Sequence, residues 1–175
     1  AYLLSKLLTE GECMQMVPFS AIDKADTAWV MISAALVLLM TLPGVALFYA
    51  GLVRRKNVVN TLAAVFAVAC IVTLTWFALG YSLAFTADSP WLGNLSRAWF
   101  SSLHYDGKRS MLSVSHLAPH LPEAAYALFQ AAFAIITTCL IVGAVVERMR
   151  FATLLVFAAL WSVVVYAPVA HWVWE

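Results

Sequence analysis

The chain has 175 residues, of which 64% are hydrophobic and 11% charged, and its mean hydropathy is +0.90. A soluble domain carries about 25% charged residues, so this chain has too little polar side chain to cover a water-facing surface, and a bilayer is the solvent its composition fits. A net charge of +1 provides no basic field for nucleic acid, and Cys13, Cys70 and Cys139 have no zinc-type or CxxC spacing.

Residues 1–26 are mixed. Ala1 to Leu8 is apolar but short, and Glu10, Glu12, Asp23, Lys24 and Asp26 follow it. The apolar part is compatible with the remnant of a signal segment, although no small-residue cleavage site follows it. Residues 27–175 form the main domain. Its first charge-free stretch runs from Thr27 to Val53. That exceeds the ~20 residues a helix needs to cross a ~30 Å hydrocarbon core, and it predicts a span over about 27–52. Asp26 is the expected N-cap, and Pro43-Gly44 predicts a kink inside the span. Arg54, Arg55 and Lys56 stop it. A second span is predicted over about 57–85, since Asn57 to Ala87 again carries no charge.

Residues 86–121 form the long polar connection. It holds Asp88, Arg97, Asp106, Lys108 and Arg109, with His104, His116 and His120. The histidines lack a metal-ligand pattern and read as solvated. Trp91, Trp99, Phe100 and Tyr105 suit an interfacial position, where amphipathic aromatics settle. Charge-free stretches from Ala124 to Val146 and from Phe151 to Trp174 predict spans over about 121–146 and 151–174. His171 is the one ionisable side chain inside a span, and its place one turn before the helix end lets it reach the interface and hydrogen-bond locally. The fold class is therefore all-α transmembrane with four spanning helices. Open strands are excluded from lipid by their unpaired backbone groups.

Orientation follows from the basic residues. Arg54, Arg55, Lys56, Arg148 and Arg150 crowd the two short loops, which the positive-inside rule assigns to the cytoplasm. The N-terminus, the 86–121 connection and Glu175 are then outside. Glu147, Arg148 and Arg150 read first as topology-setting charges. Gly44, Gly51, Gly80 and Gly143 read as sites of close helix approach. The chain contains no nucleophile–base or metal constellation that points to an enzyme, and it implies no cofactor.

Four ordered strings carry a resemblance: GVALFYAGLVRRKN over 44–57, FAIITT over 133–138, LIVGAVVERMRF over 140–151 and YAPVAHWVW over 166–174. Together they resemble the Amt/Mep/Rh ammonium transporter family, its bacterial Amt branch most closely. The resemblance implies an eleven-helix fold of two inverted repeats, assembled as a homotrimer in the inner (plasma) membrane with one pore per subunit. This chain corresponds to its first part. The family's two pore histidines and the aspartate beside its recruitment site would lie beyond Glu175. Where the family continues with a glycine-rich stretch this chain ends in Glu175, which suggests a frameshift, a truncated reading frame or an incomplete segment.

By that resemblance Trp174 and Phe129 bind the ammonium cation at an outer vestibule. Phe133 is one of two stacked rings closing the pore mouth, its partner coming from the part not present. The short basic loops would dock a PII-type regulator. Two functions are compatible with the residues. One is channel-like transport of ammonium or ammonia, which the four-helix segment alone is expected not to support; the other is an ammonium-sensing module of a signalling protein.

Overall fold

The computed structural model describes residues 15–86 and 89–175. The apolar residues 1–8, Cys13 and Asp88 lie outside the described residues. Four long apolar helices dominate: α1 over Lys24–Leu52, α2 over Arg55–Phe85, α3 over Glu123–Val145 and α4 over Phe151–Trp174. Each is long and apolar enough to cross a membrane. α2 is central, packing on α1, α3 and α4, while α1 also packs along α3.

The helix N-cap is Asp23 rather than Asp26. Its carboxylate accepts hydrogen bonds from the backbone N–H of Ala25 at 2.8 Å and Asp26 at 3.1 Å. The Asp23 backbone is extended and its N–H donates to His120 O at 3.1 Å. That bond leaves Asp26 inside the first turn, where its charge suits the helix dipole. At Pro43 the expected distortion takes the form of a widened, π-helical turn over Met40–Val45. Proline lacks the N–H and crowds the carbonyl four residues back, and a wider turn relieves both. Similar wide turns occupy Trp76–Gly80 in α2 and Ser162–Tyr166 in α4. The last two pack together, with the Thr75 and Ser162 hydroxyls 2.9 Å apart and the Trp76 and Tyr166 rings 6.0 Å apart.

The connection between α2 and α3 is not a plain loop. It contributes three short strands, β2 (Tyr105–Asp106), β3 (Met111–Ser115) and β4 (Ala118–Pro122), and β1 (Gln15–Pro18) pairs antiparallel with β3. The sheet ties the segment before α1 to the connection at the end of the bundle where α3 begins. The connection also returns onto α2: Gly93 N–H donates to Leu83 O at 2.9 Å, and Ser82 Oγ donates to Asn94 O at 2.7 Å. A Cβ at Gly93 would lie 2.6 Å from Ser82 O, so only glycine permits this approach.

Arg97 in the connection is buried, as an ion pair with Glu123 at 3.1 Å. The expectation of solvated histidines needs correction at His116, which is only partly exposed and whose Nε2 lies 2.7 Å from Glu175 Oε1. Trp91, Trp99 and Tyr105 are exposed, whereas Phe100 turns inward onto Phe77 and Tyr81, at 4.9 and 5.1 Å. Trp99 and Phe100 both have positive φ, an unfavourable backbone for L-residues that their ring contacts with α2 offset.

At the opposite end the two short loops are tied together. Asn57 Nδ2 donates to Glu147 Oε1 at 2.8 Å. That bond, helped by Arg54 and Lys56, holds the exposed Glu147 carboxyl below its ordinary range.

The interior is built from small side chains, among them Ala46, Ala64, Ala131 and Ala134, with Val68 and Val72. Lipid is as apolar as leucine, so helix association in a bilayer depends on close packing and hydrogen bonds rather than hydrophobic burial. Gly143 shows the device most clearly. The Tyr49 ring lies where a Gly143 Cβ would stand, and Tyr49 Oη donates to Leu140 O at 2.8 Å. Gly143→Ala should therefore destabilise the bundle by about 1–3 kcal/mol through overpacking. Gly51→Ala is the control, because a Cβ there meets nothing within 4 Å. Thermal unfolding of the detergent-solubilised protein checks this, and equal midpoints for the two variants would refute it.

Candidate functional site

At the sheet-bearing end, α2, α3 and α4 converge on a cluster of rings. Trp174 is the last helical residue of α4 and is 40% exposed. Its indole lies 6.2 Å from the Phe133 ring with 64° between planes. Phe133 in turn meets Phe129, one turn nearer the sheet, at 5.0 Å and 88°. The three residues expected from the sequence thus form one continuous chain of ring contacts across α3 and α4, in which Phe133 is the middle member. Spacing i, i+4 places Phe129 and Phe133 on one face of α3, and the packing of α4 over the end of α2 brings Trp174 to that face.

Two further members are not evident from the sequence reading. Phe85, at the end of α2, stacks on Trp174 at 6.3 Å and 8°. Tyr126 of α3 meets Phe85 edge-on at 5.4 Å. For Tyr126 a signal existed, because residues 126, 129 and 133 follow the i, i+3, i+7 pattern of a single helical face. For Phe85 there was none, since its contacts come from other helices.

The cluster has a polar buttress. Glu123, the first residue of α3, accepts three hydrogen bonds at one oxygen, Oε1: from Arg97 Nη1 at 3.1 Å, Tyr81 Oη at 3.2 Å and Ser102 Oγ at 3.2 Å. Tyr81 carries Phe85 one turn further along α2, their rings 5.6 Å apart.

His171 holds the other side. It is 3% exposed, with Nδ1 3.0 Å from Ala84 O and Nε2 2.7 Å from Ser89 O. Its partners are therefore distant in sequence and its ring is buried, contrary to the expectation of local bonding at the interface. Trp172 Nε1 donates to Trp91 O at 2.7 Å. The last turn of α4 is thus fastened to the end of α2 and to the connection that follows.

These features define a multi-helix integral membrane protein with a partly exposed aromatic cluster at the sheet-bearing end of its helices. The profile of the Ammonium Transporter Family matches residues 28–175. A putative ammonium transporter of Methanothermobacter thermautotrophicus is 46% identical over 153 residues, which is 87% of this chain and 36% of that protein. An ammonium transporter of Aquifex aeolicus is 42% identical over 154 residues, 87% of this chain and 34% of that protein. The crystal structure of Candida albicans Mep2 superposes with a TM-score of 0.73 at 33% identity, covering 89% of this chain and 32% of that one. The chain belongs to the ammonium transporter family, and it spans about a third of the length of these relatives.

Proposed function

We propose that this segment forms the outer entrance of an ammonium/ammonia conduit. Trp174 and Phe129 recruit the cation, and Phe133 forms one ring of the pore gate. The observation that carries this reading is the continuous ring chain Phe129–Phe133–Trp174 at one end of the bundle. An ammonium ion is costly to strip of water, by tens of kcal/mol in an apolar medium. A Trp face returns about 0.5–2 kcal/mol of that by cation–π attraction, most where water is displaced. Recruitment at a half-exposed indole followed by an aromatic constriction is therefore a sensible order: concentrate the ion, then exclude its hydrated form. Proton removal and the second gate ring would come from segments outside this chain.

The dense basic loops support a reading in which that entrance is on the outer face of the inner (plasma) membrane, with the N-terminus outside. The complete assembly is a homotrimer, and the cytoplasmic loops are the place for a PII-type regulator. Four helices do not enclose a pore built between two repeats, so residues 1–175 alone should be inactive.

The test is a chimera in which residues 28–175 replace the matching segment of the Methanothermobacter relative. Reconstituted in proteoliposomes, it should show saturable methylammonium uptake that ammonium competes away. A chimera that inserts and assembles yet takes up nothing would remove transport, and would leave an ammonium-sensing role as the reading to pursue.

A further inference from the structure

Phe85 differs from the rest of the cluster in how it meets Trp174. The Phe133–Trp174, Phe129–Phe133 and Phe85–Tyr126 contacts are edge-on, at 64°, 88° and 77°. Phe85 and Trp174 are nearly parallel, 8° apart at a centroid distance of 6.3 Å, an offset stack. Phe85 is fully buried, at 0% exposure. Trp76 at 6.2 Å, Tyr81 at 5.6 Å and Tyr126 at 5.4 Å surround it. The neighbouring carbonyl, Ala84 O, lies 3.0 Å from His171 Nδ1, one turn before Trp174. One side of the Trp174 indole is therefore backed by a parallel ring that is itself buried and packed on by other rings, while Trp174 stays 40% exposed.

Cation–π attraction is directional, because the ring quadrupole is negative over the face and positive at the edge. A recruiting indole that rocks in its socket presents edge as well as face. We propose that Phe85 is a positioning residue: a back-plate that fixes the tilt of Trp174 and confines cation recruitment to its uncovered face. Phe85 does not itself touch the ion. The proposal rests on the reading of Trp174 as the recruitment residue.

The experiment compares Phe85→Leu, Phe85→Met, Trp174→Leu and the Phe85→Leu/Trp174→Leu double variant in the chimera, by the concentration dependence of methylammonium uptake. Phe85→Met keeps much of the volume without the ring and covers the case in which the leucine variant fails to insert. The expected result is a rise in KM of about fivefold for either Phe85 variant, with the maximal rate held within about twofold. The double variant should rise no further than Trp174→Leu alone. An unchanged KM in an inserted Phe85 variant, beside a raised KM for Trp174→Leu, overturns the positioning role and leaves recruitment standing. A lowered maximal rate at unchanged KM marks Phe85 as packing only and overturns it equally. An unchanged KM for Trp174→Leu removes the recruitment reading and this proposal together.

Discussion

Arg97→Met is expected to destabilise the bundle by about 3–5 kcal/mol, the cost of leaving a buried carboxylate without its counter-charge. The side chains of Arg97 and Glu123 are 4% and 0% exposed, so neither water nor salt screens the pair as it would at a surface. Glu123 Oε1 would keep the hydroxyls of Tyr81 and Ser102, but these are neutral donors. Glu123 Oε2 is buried without a hydrogen-bond partner among the described residues, so no spare coordination exists to take up the charge. The Arg97→Met/Glu123→Leu double variant should recover much of the loss, since an apolar pair of similar volume avoids desolvation altogether. Unfolding of the detergent-solubilised protein in denaturant measures the parent and both variants, and adding the Glu123→Leu single variant completes the four-state cycle. A cost below about 1 kcal/mol for Arg97→Met would mean that the pair behaves as a solvated surface contact, contrary to the geometry.

That pair also marks the limit of what a single sequence tells. The spans are legible because a bilayer demands an uninterrupted apolar stretch and the charges obey it: Thr27 to Val53 and Phe151 to Trp174 contain none. Details at the ends depend on contacts. Asp23 takes the cap from Asp26 because His120, distant in sequence, pins its backbone. The sheet is hidden for the same reason. β2 has two residues, β4 carries a proline at each of its second and last positions, and β1 pairs with residues 111–114 across more than half the length of the chain. Segments so short have no periodicity to read.

Charge is visible in a sequence, whereas its burial is not. Arg97 and Glu123 stand 26 positions apart in a stretch whose other charges are exposed, so nothing local separates this pair from Asp106 and Arg109, which are at the surface. His171 reads as interfacial from its place in the helix, yet α2 and the connection close over it. The candidate recruitment and gate residues came from a resemblance of strings, which names positions but not neighbours. Their convergence, and the part of Phe85 in it, depends on how three helices cross.

The central claim is that Trp174, stacked on Phe85 and in edge contact with Phe133, recruits the cation before it enters the conduit. An indole face is worth about 0.5–2 kcal/mol to a cation at an entrance, which converts to a change of roughly 2- to 30-fold in apparent affinity. Leucine at this position keeps an apolar side chain but has no π face, and Trp174 is exposed enough that the change should leave the fold intact. The decisive measurement is methylammonium uptake against concentration in proteoliposomes, for the chimera carrying Trp174 and for its Trp174→Leu variant. The structure predicts a KM about tenfold higher in the variant with a similar maximal rate. Superimposable uptake curves would contradict it and return Trp174 to the aromatic belt.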